Sequence, residues 1–216
     1  MREIALRLCC SCPVFFHPPG FFHPKVQKRH SCRDQTRAWN LLWSDRGMEQ
    51  NETFTRLLAL VTEAYESHPQ AREFAPFPTD LTAQPVTHVP VPAADLLQQE
   101  QGFTKEYHPG LVEAIRAAGG MAHWLEHYRG TALGDEFVDR FGCFPIIGPG
   151  GAFHSAHLRC WMVYMPAGLH YPWHEHQAEE IYLLVAGRAK FSAFGSADHD
   201  LEAGEVVFHA ANQPHV

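Results

Sequence analysis

No apolar run in this 216-residue chain is long enough to span a membrane, which argues against an integral membrane protein. The chain also lacks an excess of positive charge. Its formal net charge is -7, which argues against a nucleic-acid partner. No small-residue cleavage site follows the short N-terminal apolar stretch, so a secretory signal is not indicated. Only two of the six cysteines lie beyond residue 32, and we therefore expect mostly reduced thiols in a cytoplasmic protein.

Charge and periodicity divide the chain at Met48. Residues 1–47 carry a charge balance of +5 and show no helical or strand period, whereas residues 48–216 carry -12. We expect residues 1–47 to be an unstructured or non-native extension that is dispensable for activity. Residues 48–142 are predicted to form a helical N-terminal part, and residues 143–216 a β-domain.

The helical part is indicated by an apolar face with helical spacing. Phe54, Leu57, Val61 and Tyr65 share one side of a helix that Asn51 can cap. A proline-rich stretch follows and predicts an extended connector. The connector spans 68–92, and further helices are predicted near 93–101, 111–118, 121–128 and 134–141.

The β-domain is indicated by short apolar runs that are separated by glycine and proline clusters. Many short antiparallel strands predict a mainly β fold, namely a small barrel or jelly roll. The predicted strands are 143–147, 152–154, 157–165, 180–186, 188–194 and 205–209, with a hairpin loop at 195–199.

Three residues between Gly168 and Gly187 carry the strongest functional signal. His174 and His176 are spaced i and i+2, so their side chains share one side of a strand, and Glu180 can return to that side after a short bend. Two imidazoles and one carboxylate make a first coordination shell for a divalent metal. His215 is available as a fourth ligand.

The run from Gly168 to Gly187 resembles the first motif of the cupin superfamily: Gly, five residues, His-x-His, three residues, Glu, six residues, Gly. A second cupin motif begins at Gly204 and ends at His215, with Asn212 where the family has glycine. Asparagine tolerates a positive φ, so this turn is expected to form. The resemblance implies a cupin barrel after the helical part. It also implies further strands beyond Val216, so the sequence resembles a C-terminally truncated cupin.

A finer resemblance is to the cupin-type dimethylsulfoniopropionate (DMSP) lyases, over roughly Met48 to the C-terminus. It depends on Tyr171, three residues before His174, and on Tyr182, two residues after Glu180. The resemblance implies a metal-dependent carbon–sulfur lyase that cleaves DMSP, a small sulfonium substrate, to dimethyl sulfide and acrylate. In that family the tyrosine at the position of Tyr182 lies at the metal and is the base.

The chemistry is a β-elimination with two requirements. A metal Lewis acid polarises the substrate carboxylate, and a base removes the α-proton. A free tyrosine has a pKa of about 10, and a nearby divalent cation lowers that pKa, which suits Tyr182 as the base. Tyr171 is expected to hold the substrate carboxylate or to orient the base. A cation–π contact with the sulfonium can come from Trp161, Trp173 or Trp124.

The same sequence features also fit other functions and other roles for these residues. The same ligand set suits a mononuclear iron dioxygenase, and a cupin that only binds a small ligand would need neither tyrosine. Mixed nitrogen and oxygen ligation accommodates Fe, Mn, Co, Ni or Zn. Tyr182 can also be a packed core residue or an additional metal ligand. The sequence is also compatible with a homo-oligomer. His154, His157, His170 and His209 are assigned no role, because a single strand histidine is more often a packed or exposed residue than a ligand.

Overall fold

The structure of the protein is a computed structural model that describes residues 3–10, 36–101, 103, 105–125 and 134–216. Proline stands at the start of two helices. Pro69 and Pro92 stand in the first turns of their helices, where a missing N–H costs nothing. The described residues form five helices: α1 (Thr36–Ser67), α2 (Pro69–Phe74), α3 (Pro92–Gln99), α4 (Leu111–Gly119) and α5 (Gly134–Arg140).

Eight strands form one sheet in this part of the chain: β1 (Glu3–Cys10), β2 (Thr82–Ala83), β3 (Gly142–Ile147), β4 (Phe153–His154), β5 (Leu158–Met165), β6 (Glu180–Phe191), β7 (His199–Glu202) and β8 (Val206–His209). The strand order is β2-β4-β3-β5-β1-β6-β7, and β8 also pairs with β6. All described strand pairs are antiparallel except β3 with β4, which share one parallel pair of residues. The sheet is therefore predominantly antiparallel, as predicted.

Strand β1 lies in the middle of this sheet. It pairs with β5 on one side and with β6 on the other, and Arg7 stands opposite both Trp161 and Tyr182. The expectation that residues 1–47 are unstructured is therefore wrong for residues 3–10 and for residues 36–47, which belong to α1. The alternative, a non-native extension that is dispensable for activity, stays a prediction. The intervening residues 11–35 lie outside the described part. The division into a helical part and a barrel at residue 142 stays a prediction.

The two faces of the sheet bury different groups, because strand side chains alternate between faces. One face packs on the helices: Leu6 and Leu183 from the sheet lie in one buried cluster with Leu57 of α1 and Ile115 of α4. Burying each such side chain contributes about 1.5–3 kcal/mol. The other face holds a second cluster that includes Val163, Tyr182, Leu184, Phe191 and Val207. The candidate site lies on this second face.

Several predicted elements differ in extent. The helix predicted at Asn51 begins at Thr36, and Asn51 lies inside it, but its predicted apolar face is buried. The predicted helix 121–128 is wrong for 121–125, where Trp124 N–H instead donates to Val89 O. Residues 126–128 lie outside the described part. The connector contains α2 and β2, and β7 was not predicted.

Strand β6 replaces two predicted strands, 180–186 and 188–194. It continues through Gly187, whose φ is 90°, a value that glycine adopts without strain. β1 pairs with β6 up to Gly187, and β7 pairs with β6 beyond it. Among the described helices, none has both the length and the apolar character that a membrane crossing requires.

Candidate metal centre and active site

His174 and His215 lie side by side because their backbones pair. His174 N–H donates to His215 O at 3.0 Å, and His215 N–H donates to His174 O at 2.9 Å. Opposed residues in such a pair project their side chains to the same side. The turn before His215 places Asn212 at a φ of 56°, and Asn212 N–H donates to His176 O at 2.7 Å. The turn expected at Asn212 therefore forms, and it ties the two motifs together.

Glu180 enters the same space from β6. It is the first residue of that strand and stands opposite His209 of β8, so both side chains point to one side. Glu180 has no exposed surface. Tyr182 lies two residues further along β6 and faces the same way, as strand alternation predicts.

The three predicted histidine ligands are held in one tautomer by their own backbone. His174 Nδ1 lies 3.1 Å from Pro172 O, His176 Nδ1 lies 2.8 Å from Ala178 O, and His215 Nδ1 lies 2.7 Å from Gln213 O. A carbonyl oxygen can only accept, so each Nδ1 carries the proton and donates it. In the neutral ring each Nε2 is therefore unprotonated, which is the form that binds a metal.

The four predicted ligands converge, and one ligand atom from each lies within 4.8 Å of the others. Glu180 Oε1 is 3.0 Å from His215 Nε2, and Glu180 Oε2 is 3.1 Å from His176 Nε2. The buried Nε2 atoms of His174 and His215 have no hydrogen-bond partner among the described residues. Lone pairs held this close repel unless a cation lies between them. The donor set therefore fits a divalent metal.

The charge states at this centre also suit metal binding. Burial acts to raise the pKa of the Glu180 carboxyl, but the Arg7 guanidinium and the hydrogen bond from His209 hold that pKa well below its usual range. Burial lowers the pKa of His174 to about 4, and the neighbouring His215 adds to this effect. At neutral pH the carboxyl is ionised and His174 is neutral, as ligands must be.

Arg7 is a site residue that the sequence analysis missed. Its Nε hydrogen-bonds Glu180 Oε2, and its Nη2 lies 2.7 Å from His176 Nε2, which must accept because a guanidinium only donates. A positive group therefore lies against two of the four predicted ligands. The missed signal is a strand period, since Leu6 and Leu8 alternate with Ala5 and Arg7.

His209 is the second missed residue, and it was assigned no role from the sequence. It is fully buried, its Nδ1 lies 3.3 Å from Glu180 Oε1, and its ring stacks on His215 with centroids 4.0 Å apart. Burial lowers its pKa, which the contact with Glu180 partly offsets. The signal that could have found it is its place at the end of a strand that leads into the second motif.

A cavity of about 490 Å³ opens beside the ligands, a volume typical of small-molecule sites. Tyr171, Trp173 and Tyr182 line it together with His174. Tyr182 is 8% exposed, and its ring centroid lies 5.9 Å from that of His209. The Tyr171 ring centroid lies 4.6 Å from that of His174. Both predicted tyrosines therefore face the space next to the ligands.

The three tryptophans that were candidates to bind the sulfonium have different environments in the structure. Trp173 is 54% exposed on the cavity wall. Trp161 is half-buried, and its ring centroid lies 5.6 Å from Arg7 Cζ, so its face already holds a cation. Trp124 is buried on the helical face, and its Nε1–H donates to Gly119 O at 2.8 Å. Trp124 is therefore a core residue.

Comparisons with known proteins agree with this geometry. A sequence model of the dimethylsulfoniopropionate lyase family matches residues 67–216. The chain belongs to this family. Dimethylsulfoniopropionate lyase DddQ from Ruegeria pomeroyi is 41% identical over 167 residues, which make up 77% of this chain and 83% of DddQ.

Solved structures of this lyase family share the fold. The crystal structure of DddQ from Ruegeria pomeroyi matches with a TM-score of 0.73 over 76% of this chain and 83% of that one. A chain from the crystal structures of the DMSP lyases RdDddP and RnDddQII is 36% identical and matches with a TM-score of 0.73, over 77% and 85%. The predicted cupin-like β fold is thereby confirmed. The predicted family and the predicted enzyme class, a lyase, are confirmed as well.

Proposed function

We propose that this lyase cleaves DMSP to dimethyl sulfide and acrylate by β-elimination in the cavity beside His174. One observation carries the proposal: a converging set of three imidazoles and one carboxylate shares a small-molecule cavity with two tyrosines. Its similarity to DddQ, a protein named as a DMSP lyase, supports the choice of substrate. The cytoplasmic location and the oligomeric state stay predictions.

His174, His176, Glu180 and His215 would hold one divalent ion, with Zn, Fe, Mn, Co and Ni all compatible with the donors. When bound, the ion supplies a Lewis acid that polarises the substrate carboxylate and makes the α-proton more acidic. The protein's contribution is to present three unprotonated Nε2 atoms, each oriented by an Nδ1–H bond to a carbonyl two residues away.

Tyr182 is the proposed base. Its phenolate oxygen takes the α-proton, the electrons of that C–H bond form the new carbon–carbon double bond, and the carbon–sulfur bond breaks. The sulfonium leaves as neutral dimethyl sulfide, so no acid has to protonate it. The Arg7 guanidinium lies 5.9 Å from the Tyr182 ring, and a positive charge there favours the phenolate form.

Tyr171 and Trp173 are the proposed substrate-binding residues. Tyr171 lies on the cavity wall next to His174 and is held by the rings of Phe137 and Phe141, at 5.7 and 5.0 Å. Its hydroxyl can orient the substrate carboxylate. The exposed face of Trp173 can receive the sulfonium by a cation–π contact. Trp161 is the second candidate for that contact, but the Arg7 guanidinium already lies over its ring, so Trp173 is preferred.

The alternative activity is oxygen chemistry at a mononuclear iron, which the same three-nitrogen, one-oxygen ligand set would support. Two assays on the metal-loaded protein separate the activities. DMSP should yield dimethyl sulfide and acrylate in equal amounts without uptake of oxygen. Oxygen consumption with a thiol or diketone substrate, and no sulfide from DMSP, would favour the dioxygenase.

A further inference from the structure

His209 differs from the three ligand histidines in what its Nδ1 contacts. Each ligand histidine directs Nδ1 to a main-chain carbonyl, whereas His209 directs Nδ1 to the Glu180 carboxylate at 3.3 Å. An ionised carboxylate only accepts, so Nδ1 of His209 carries the proton and donates it. His209 is not in the group whose ligand atoms converge within 4.8 Å. It therefore touches a ligand without belonging to the ligand set.

The two oxygens of Glu180 have different surroundings. Oε2 faces His176 and Arg7, while Oε1 faces His215 and His209. A carboxylate attached through single bonds can rotate, and rotation would move its oxygens relative to the three imidazoles. A hydrogen bond to Oε1 restrains that rotation. The strand register supports the contact, because Glu180 and His209 are directly paired.

The ring of His209 also restrains a second ligand. It stacks on His215 with an interplanar angle of 21°. His209 has no exposed surface and lies on β8, a paired strand, so its own position is fixed by packing. One buried imidazole thus contacts two ligands that come from different parts of the chain.

We propose that His209 is a positioning residue for the metal centre, which acts by donating its Nδ1–H to Glu180 and holding that carboxylate in its ligating orientation. This inference rests on the proposed metal site. Removing such an outer partner typically costs about 10- to 100-fold in metal affinity. His209 acts through Glu180 and is therefore not assigned a step in the elimination.

The test compares His209→Asn with His209→Gln. The asparagine amide nitrogen falls near the position of Nδ1, whereas the glutamine amide nitrogen falls near that of Nε2. Zn²⁺ affinity is measured by competition with a chromophoric chelator in the full chain. We expect His209→Gln to lose about 10- to 100-fold in affinity, and His209→Asn to stay closer to the unaltered protein. Thermal unfolding of both metal-free variants checks that they are folded.

A second measurement needs no variant. Long-range ¹H–¹⁵N spectra of the Zn²⁺-loaded protein should show His209 with its proton on Nδ1, and a proton on Nε2 instead would overturn the inference. Equal affinity losses in the Asn and Gln variants, or none in either, would also overturn it. If the unaltered chain binds no Zn²⁺, the proposed metal site is wrong and the inference falls with it. If the unaltered chain binds Zn²⁺ and the two variants do not differ, only the inference is wrong.

Discussion

His174 and His215 exchange both backbone hydrogen bonds, at 3.0 and 2.9 Å, and their ring centroids lie 4.2 Å apart. His215 also pairs with Ala193, so its backbone is fixed on two sides. Two ligands distant in sequence thus owe their proximity to strand-like pairing. Sites on paired backbone hold their geometry better than sites on loops. Both ligands are therefore held by paired backbone.

The first prediction concerns the ligand set. His176→Ala should remove most of the bound metal, because water does not replace an imidazole ligand without a large loss of affinity. Elemental analysis of the purified variant measures this. His154→Ala is a matched control, since His154 is exposed on β4 outside the ligand group. Unchanged metal stoichiometry in His176→Ala would remove His176 from the set.

The second prediction concerns the base. Tyr182→Phe should keep the fold and the metal, because phenylalanine fills nearly the same volume. It should lower kcat by about 10²- to 10⁴-fold, the usual contribution of a general base, with a smaller effect on KM. The measurement is steady-state release of dimethyl sulfide from DMSP at equal metal loading.

Tyr164→Phe is the matched control for that variant. Tyr164 lies on β5 in the buried cluster of the opposite face, and its hydroxyl donates to Glu100 at 3.0 Å. Its loss should lower stability by about 1 kcal/mol and leave kcat unchanged. Near-normal turnover in metal-replete Tyr182→Phe would show that another group takes the α-proton.

The third prediction concerns Arg7. Its guanidinium contacts Glu180 and His176, so it competes with a metal cation for the same two ligands. Arg7→Met keeps an unbranched apolar stem and removes the charge, and Zn²⁺ affinity should therefore rise. Competition titration with a chelator measures the change.

Arg188→Met is the control for this variant, because Arg188 is exposed and pairs with Glu202 away from the ligands. If the affinity falls in Arg7→Met, the guanidinium supports the centre and does not compete for it. β1 lies outside residues 67–216, which match the family model, so this contact is not part of the matched region.

The fourth prediction concerns pH. The pKa of His174 is about 4 in the folded protein and 6.5 when unperturbed, so the unfolded chain takes up this proton first as pH falls. The free energy of unfolding of the metal-free protein should therefore decrease from about pH 6.5 towards pH 4. The lowered pKa of His209 acts in the same direction.

Urea unfolding across this pH range measures the effect. His174→Gln cannot take up the proton and should show a shallower decrease. A stability that is flat from pH 6.5 to 4.5 in the unaltered chain would mean that His174 is not held neutral by its surroundings.

Local spacing was enough to predict that His174, His176 and Glu180 converge, because they lie within seven residues and a short bend returns Glu180 to the side of the two histidines. The roles of Tyr171 and Tyr182 were predicted from the resemblance to the lyase family. The fold class followed from the same short-range patterns. Arg7 and His209 could not be assigned, because their roles depend on pairing with β6 across long sequence separations.

The helix predicted at 121–128 shows that a local pattern can also predict an element that tertiary packing prevents. Apolar spacing there suits a helix, but Trp124 is drawn into the helical-side core against Phe144. Its backbone pairs with Val89, and that of Leu125 with Cys143. Burial of one large aromatic residue therefore outweighs a weak local preference.

The central claim is that the metal-loaded chain releases dimethyl sulfide from DMSP at the His174, His176, Glu180 and His215 centre. The most direct test is gas-phase detection of dimethyl sulfide after DMSP is added to the metal-loaded protein, to the chelator-treated protein and to His176→Ala. We predict sulfide with an equal amount of acrylate from the first, and background levels from the other two. Sulfide release that persists in the chelator-treated protein, or none from the loaded protein, would contradict the account.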